Sequence, residues 1–226
     1  MIAQLFAGLS FDEVVSWLPR FNEGFLVSIQ VTILSLAVGM PLGFVLALGV
    51  AARNPALRGL ALAVVEIGRG APALIVLQFV YFGLPSAGLS LTAFAASIVA
   101  LGWNTGAYTS EMIRAGLDSV PAGQVEAGHA LGMSQGDLYR YVLVPQGIRV
   151  AMPPLMAFSI LQFQATSLCF AISLSEIVSK AYQIGTMTFQ YFPALVVAGL
   201  YFAAVSIPAS LLVNWMESRA AAYSQT

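Results

Sequence analysis

Charged side chains are scarce in this sequence, because aspartate, glutamate, lysine and arginine make up only 8% of its 226 residues. A soluble domain carries about 25% charged residues, so this composition cannot cover a water-facing surface. Hydrophobic residues account for 59% of the chain, which points to a membrane protein. The net charge of −1 gives no reason to expect a nucleic-acid partner.

Residues that build metal and catalytic sites are almost missing. Cys169 is the only cysteine and His129 the only histidine, so no disulfide framework and no metal centre is expected. The sequence contains neither a paired nucleophile and base nor a G-x-x-x-x-G-K-[ST] phosphate-binding loop. We therefore expect a protein that is not an enzyme and that binds no cofactor itself.

Long apolar runs predict five transmembrane helices, each able to supply the roughly 20 residues that cross a bilayer. The runs are residues 24–52, 57–83, 89–113, 150–174 and 193–216. Residues 1–20 lack a basic start and are interrupted by Asp12 and Glu13, so they predict an amphipathic lead-in rather than a secretory signal. The predicted fold is an all-α membrane protein, with residues 1–226 forming a single transmembrane domain.

Basic residues near the ends of these spans are distributed unevenly. Arg20 and Lys180 flank one set of ends, whereas six arginines flank the other: Arg53, Arg58, Arg114, Arg140, Arg149 and Arg219. Basic residues accumulate on the cytoplasmic side of membrane proteins. The pattern predicts a multi-pass protein with its N-terminus outside and its C-terminus in the cytoplasm.

One connection, about residues 117–149, is too polar to span and longer than a simple joint between helices requires. It predicts two short helices, the first capped by Ser119 and ended by Gly132 in the left-handed conformation. Ser134 is the expected cap of the second helix, with Asp137 completing a variant capping box. The segment is predicted to form a two-helix knob in the cytoplasm.

Two further features of this loop are informative. Pro121 fits the first turn of the first helix, and Pro145 is expected either to close or to kink the second. Gly128 and Gly132 lie on one helix face, which would allow a partner to approach closely. The alternative is a solvated loop whose glycines merely break helices.

The loop has the spacing of the "EAA" loop found in permeases of ATP-binding-cassette (ABC) importers. The family pattern is Glu-Ala-Ala, three residues, Gly, nine residues, then Ile, one residue, Leu-Pro. Here the corresponding positions are Glu126, Ala127, Gly128, Gly132, Val142, Val144 and Pro145. Gly123 and Gln124 before the motif, with Ala130 and Leu131 inside it, resemble the polar amino acid permeases of the histidine and glutamine type.

The resemblance extends along nearly the whole chain in the expected order. The matching elements are Thr32-Ile33 with Ser35-Leu36, Gly39 and Gly43; Arg69-Gly70-Ala71-Pro72; Tyr81-Phe82-Gly83-Leu84-Pro85; Gly106-Ala107-Tyr108 with Glu111; and Thr166-Ser167-Leu168. The resemblance implies half of a translocation pathway for polar amino acids in the bacterial inner membrane.

The resemblance also implies partners. The loop would dock on a separate ATPase that holds ATP and magnesium, within an importer of two permease subunits, two ATPase subunits and a periplasmic substrate-binding protein. The residues implied in coupling are Gly123, Glu126, Ala127, Gly128, Gly132 and Pro145. Two alternatives stay open: import of an opine, betaine or other small amine by the same architecture, or an ion-coupled secondary transporter.

Polar residues inside predicted spans are candidates for the substrate pathway. Arg69 could bind a substrate carboxylate, or else pair with Glu66 or contact a partner permease. Asn104, Tyr108 and Glu111 form one helical stripe, which either lines a pathway or holds helices together, and Glu111 can pair with Arg114. In the fourth span, the candidates are Gln164, Thr166 and Ser167.

The fourth span also departs from the family pattern. The Lys-Asp pair that usually precedes Thr-Ser-Leu is replaced by Gln164 and Ala165, and an expected upstream asparagine is Ala157. A neutral amide makes no charge-assisted contact with a substrate. Two consequences are possible: this chain is the weaker half of a permease heterodimer, which we favour, or the solute is recognised chiefly by the binding protein and passes through without a firm membrane site.

Overall fold

The computed structural model describes the backbone of residues 10–223 and the side chains of residues 10–217. All regular secondary structure in this range is helical, which confirms the all-α prediction. The α-helices are α1 (Phe11–Val50), α2 (Pro55–Gly70), α3 (Ala73–Gln78), α4 (Ala93–Asp118), α5 (Ala122–Ala130), α6 (Gln135–Leu138), α7 (Val144–Ala165), α8 (Ile177–Thr188) and α9 (Tyr191–Tyr223).

Irregular helical turns extend several of these helices. A π turn over Phe79–Gly83 and a 3₁₀ turn over Leu84–Ala87 follow α3. A second π turn, Tyr139–Leu143, joins α6 to α7, and the 3₁₀ turn Thr166–Ile172 continues α7. The 3₁₀ turn over Leu84–Ala87 thus falls between the second and third apolar runs, residues 57–83 and 89–113.

Among the described residues, three helical stretches are long and apolar enough to cross a membrane: Phe11–Val50, Gln135–Ile172 and Tyr191–Glu217. A fourth, Pro55–Gly70 with Ala73–Ala87, is either a broken span or a re-entrant loop. Helix α4 is 26 residues long, but it is more polar than these stretches. The count of five spans stays a prediction, with α4 as its third.

The first helix differs from the prediction at its start. Helix α1 contains 40 residues and is about 60 Å long at 1.5 Å per residue. Its first turns include Phe11 to Arg20, so this part of the predicted lead-in is not a separate element. Residues 1–9 and the side chain of Arg219 lie outside the described part of the chain.

The chain divides into two compact units. The first comprises the described residues up to Ser35, with Pro72–Leu101 and Ile160–Leu211. Its core packs α1, α8 and α9 around Phe21 and Phe163, and Phe21 stacks on Tyr201 with ring centroids 5.5 Å apart. This unit contains three of the pathway candidates.

The second unit comprises Leu36–Ala71, Gly102–Ser159 and the described residues from Leu212. Within it, α1 and α4 cross closely through Gly39 and Gly43, which lie four residues apart as in the small-residue motifs of membrane helix pairs. A Cβ atom at Gly39 would lie 2.6 Å from the carbonyl oxygen of Gly102, and one at Gly43 would lie 3.0 Å from that of Gly106. The two backbones therefore touch along this crossing.

Candidate functional site

The predicted loop contains a helix that Gly132 ends. Gly132 has φ of 73°, the left-handed conformation expected from the sequence. Its N–H donates to the His129 carbonyl at 3.0 Å, and the Met133 N–H donates to the Gly128 carbonyl at 3.1 Å. These two bonds form a Schellman motif, so the chain turns sharply after α5.

The second helix of the loop differs from the prediction. Ser134 caps α6 as expected, because its Oγ accepts from the Asp137 N–H at 3.2 Å and donates to Asp137 Oδ2 at 2.6 Å. However, α6 has only four residues and continues through the π turn into α7. The loop is therefore one short helix followed by the start of a long one.

Pro145 does not close this helical stretch, which continues through it. A proline lacks the N–H of a regular helix and its ring collides with the carbonyl four residues earlier. The π turn ending at Leu143 widens the backbone directly before Pro145, which lies in the first turn of α7. The proline is thus accommodated and remains exposed.

The cap of the first loop helix was also predicted wrongly. The Ser119 hydroxyl donates to the Gly116 carbonyl at 2.7 Å, at the end of α4, instead of capping α5. Helix α5 follows Pro121 and has no side-chain cap. Ser119 terminates one helix because its side chain reaches back three residues rather than forward.

Gly128 packs inside the loop, not toward a partner. It is buried, and a Cβ atom there would lie 2.5 Å from Leu138 Cδ1. The prediction that a partner can approach closely at Gly128 is therefore wrong. The other residues implied in coupling are all exposed: Gly123, Glu126, Ala127, Gly132 and Pro145.

Sequence reasoning missed Leu131 as a candidate contact residue. Its side chain is 82% exposed at the tip of the loop. A single exposed apolar side chain is ordinary by itself, so Leu131 is a candidate because of its place on a loop, where binding residues are common. The available signal was an apolar residue placed directly before the glycine that ends α5.

Three pathway candidates lie together at the C-terminal end of α2. The helix stops at Gly70, two residues before Pro72, which has no N–H to donate to the Gly68 carbonyl. Asn104 Nδ2 on α4 donates to that carbonyl at 3.0 Å. One helix turn further, the Tyr108 hydroxyl donates to the Arg69 carbonyl at 3.4 Å.

The Arg69 side chain is held by two carboxylates. Its guanidinium lies 3.4 Å from Glu66 Oε1, the pair that the sequence predicted, and 3.4 Å from Glu111 Oε2. Glu111 also binds Arg114 at 2.8 Å, as predicted. Asn104, Tyr108 and Glu111, which we call the α4 clamp, thus bind the last residues of α2, and the predicted stripe holds two helices together.

The other three candidates belong to the first unit. The Thr166 hydroxyl is buried and donates to the Phe163 carbonyl at 2.7 Å, while the Ser167 hydroxyl donates to the Gln164 carbonyl at 2.8 Å. Both hydroxyls are therefore occupied by their own helical turn. The Gln164 side chain is exposed and has no hydrogen bond within the described residues, so its amide is free for a ligand or a neighbouring subunit.

Glu176 is a buried carboxyl that the sequence did not single out. It caps α8, accepting from the Val178 N–H at 2.9 Å and the Ser179 N–H at 2.8 Å. Burial raises the pKa of Glu176 to about 7, while the bonds from Val178 and Ser179 oppose that rise. The side chain thus serves as the N-cap of α8.

Replacing Asn104 with leucine will destabilise the end of α2. The Gly68 carbonyl would then lose its donor, and an unsatisfied buried acceptor costs about 1–3 kcal/mol. We expect a lower thermal unfolding midpoint for the purified protein in detergent.

The matched control for this substitution is Thr105→Val. Thr105 is the next residue on α4, and its buried hydroxyl has no hydrogen-bond partner in the described structure. We expect its midpoint to stay near that of the wild type. Equal midpoints for the two variants would show that the Asn104 bond contributes nothing.

Comparison with known proteins gives consistent matches. The family model for the binding-protein-dependent transport system inner membrane component matches residues 39–222. The chain is 33% identical to the arginine transport system permease protein ArtQ of Bacillus subtilis strain 168, covering 86% of this chain and 89% of that protein. It is 38% identical to the L-cystine transport system permease protein TcyB of the same organism, covering 75% and 73%.

A solved structure is also similar to this chain over most of its length. The crystal structure of an amino acid ABC transporter with histidines superimposes with a TM-score of 0.87 at 29% identity. The match covers 93% of this chain and 99% of the other. The similarity therefore extends over most of the chain.

Proposed function

This chain belongs to the family of binding-protein-dependent transport system inner membrane components, and on that basis we propose that it forms half of the pathway through which an ABC importer takes up polar amino acids. The relatives are permeases for arginine and L-cystine, and the superimposed structure is an amino acid ABC transporter. Members of the family work with ATPase and substrate-binding components. The chain is the membrane component of such an assembly.

The observation that carries this proposal is the loop between α4 and α7. Its first helix ends in a left-handed glycine, Gly132, at the position that the family spacing requires. Glu126 and Ala127 of the motif are exposed on it, and Leu131 projects from its tip. An exposed helix with an apolar tip is a surface suited to docking in a groove of another protein.

The finer assignments follow from the same proposal. The loop docks on a separate ATPase subunit, which binds ATP and magnesium and hydrolyses the nucleotide. The coupling residues are Gly123, Glu126 and Ala127 as contacts, with Gly128, Gly132 and Pro145 shaping the loop. The membrane topology is five spans, with the N-terminus outside and the loop and C-terminus in the cytoplasm.

We propose that two groups of polar candidates contribute to the substrate pathway. Arg69, Asn104 and Tyr108 lie at the end of α2, and Gln164, with Thr166 and Ser167 beside it, lies at the end of α7. The missing Lys-Asp charges support a heterodimer in which a second permease subunit makes the main substrate contacts. The complete importer then contains two permeases, two ATPases and a periplasmic binding protein.

Uptake by the reconstituted importer tests the proposal. The chain is purified with its ATPase and permease partners, placed in liposomes and supplied with the binding protein. We expect accumulation of at least one of labelled arginine, glutamine and cystine that requires ATP inside the liposomes and stops with a non-hydrolysable analogue.

Two results would contradict the proposal. Uptake driven by a sodium or proton gradient without ATP would favour the ion-coupled transporter. ATP-dependent uptake of labelled betaine or an opine, with none of the amino acids, would favour the same architecture with a different solute. The intact mass of the purified complex reports whether one or two kinds of permease are present.

A further inference from the structure

Glu111 occupies a special position in the charged network of the second unit. It is the one carboxylate in the described part of the chain that contacts arginines on two different helices, Arg69 on α2 and Arg114 on α4. The other two carboxylates of the network, Glu66 and Asp118, each pair with an arginine of their own helix. Only Glu111 therefore connects the end of α2 to α4 through charge.

Glu111 is also the most sheltered of the three carboxylates. Its side chain is 27% exposed, against 61% for Glu66 and 66% for Asp118. Exposed ion pairs are screened and contribute little, whereas partly buried ones are screened less. The contact between Arg69 and Glu111 is thus the ion pair of this network that joins α2 to α4, and its carboxylate is less screened than those of Glu66 and Asp118.

The C-terminal end of α4 is joined rigidly to the loop. Beyond Glu111, α4 continues without a break to Asp118, where the loop begins. A Cβ atom at Gly147 of α7 would lie 2.8 Å from Leu117 Cα, and one at Gly116 would collide with the Gly147 carbonyl oxygen. The two ends of the loop are in backbone contact, so a displacement of the loop also displaces α4.

The contact to Arg69 is suited to being made and broken. Glu111 Oε2 lies 2.8 Å from Arg114 but 3.4 Å from Arg69, so its hold on its own helix is tighter than its hold on α2. A cavity of about 450 Å³, lined by Glu66, Glu111, Arg114 and Asp118 among others, leaves these side chains room to rearrange. The geometry allows the charge link to change while the helices stay packed.

We propose that Glu111 is a positioning residue that transmits movement of the loop to the end of α2. When the loop moves, α4 moves with it, and the carboxylate pulls on Arg69, whose backbone carbonyl is also held by Tyr108. The last turn of α2 shifts together with Arg69 and the break that follows it. This inference rests on the proposed function, since it assigns Glu111 a role in coupling ATP hydrolysis to transport.

The test measures uptake and ATP hydrolysis in the same liposomes, using Glu111→Gln in the complete importer. We expect normal assembly with the ATPase and hydrolysis near the wild-type rate. The number of amino acids transported per ATP should fall by about fivefold or more. A fivefold change corresponds to about 1 kcal/mol, which is the lower end of typical coupling free energies. Glu111→Asp, which keeps the charge, should restore part of the ratio.

The matched control is Glu66→Gln. It also removes a carboxylate from Arg69, but one on the same helix, so the connection between α2 and α4 remains. We expect its ratio of transport to hydrolysis to stay within twofold or so of the wild type, as expected when an exposed pair is worth under about 1 kcal/mol.

A double substitution separates coupling from simple structural support. If Glu111 acts through Arg69, Arg69→Gln with Glu111→Gln should be no worse than the more damaging single change. Additive losses, a wild-type ratio for Glu111→Gln, or uptake and hydrolysis falling in proportion would each overturn the inference. A wild-type importer that transports no amino acid would instead contradict the proposed function.

Discussion

Replacing Gly39 with leucine is expected to abolish folding of the protein in the membrane. A side chain at this position would meet the Gly102 carbonyl oxygen and Thr105, and a backbone atom cannot rotate away. Overpacking a tight contact typically costs about 1–3 kcal/mol, and here the helices themselves must separate. We expect little monodisperse protein by size-exclusion chromatography after mild detergent extraction.

The control for this prediction is Gly59→Leu. Gly59 is also helical, on α2, but a Cβ atom there would meet no atom within 4 Å. Its yield and elution profile should match the wild type. If Gly39→Leu elutes as the wild type does, then the close crossing of α1 and α4 is not required for the fold.

Gly132→Val is expected to eliminate coupled transport while leaving the protein folded. A β-branched residue at φ of 73° is strongly disfavoured, so the Schellman motif will open and α5 will change direction. Space is not the cause, because a Cβ atom at Gly132 would meet nothing within 4 Å. We expect normal membrane insertion, loss of the ATPase subunits during purification, and uptake below a tenth or so of the wild type, since a non-glycine in this conformation costs about 1–2 kcal/mol.

Gly136→Val is the matched control for the loop. It introduces the same side chain four residues later, in α6, where the only near atom would be Ser134 Oγ at 3.9 Å. Valine has a somewhat higher helix propensity than glycine, so helix propensity gives no reason to expect a loss of stability here. ATPase association that survives Gly132→Val, or is lost equally in Gly136→Val, would remove the reason for placing the coupling function in the turn after α5.

Most features set by local chemistry were predictable from the sequence, although the Ser119 cap was not. A left-handed glycine, a serine cap and two same-helix ion pairs depend on residues within four positions of each other, and Gly132, Ser134, Glu66 and Glu111 all behave as predicted. The family spacing of the loop relies on the same local rules. These features needed no knowledge of how the helices pack.

Features set by packing between helices were not predictable in the same way. Asn104 and Tyr108 were recognisable as a polar stripe, but their partners are backbone carbonyls, which every residue carries. Which carbonyls lack a donor depends on where α2 breaks. Whether α4 lies beside that break depends on the tertiary packing of the helices. Gly128 faces Leu138 for the same kind of reason.

Pro145 illustrates how one local rule can have two outcomes. The sequence predicted a closed or kinked helix, since proline removes a helical hydrogen bond. The chain widens into a π turn over Tyr139–Leu143 and stays helical, so the helix does not close at Pro145. The choice between these outcomes depends on the surroundings, because Leu138 is fully buried and fixes the path before the turn.

The close crossing of α1 and α4 also has a consequence for how the protein is made. Gly39 emerges from the ribosome about 60 residues before Gly102, and at about 5–20 residues per second this interval is roughly 3–12 s. During that time the glycine face of α1 has only lipid or other helices as neighbours. The unpaired face is stable in lipid during this interval, because membrane helices associate through packing contacts and not through the hydrophobic effect. The N-terminal helix must therefore persist as an independent inserted segment, and the crossing closes late in synthesis.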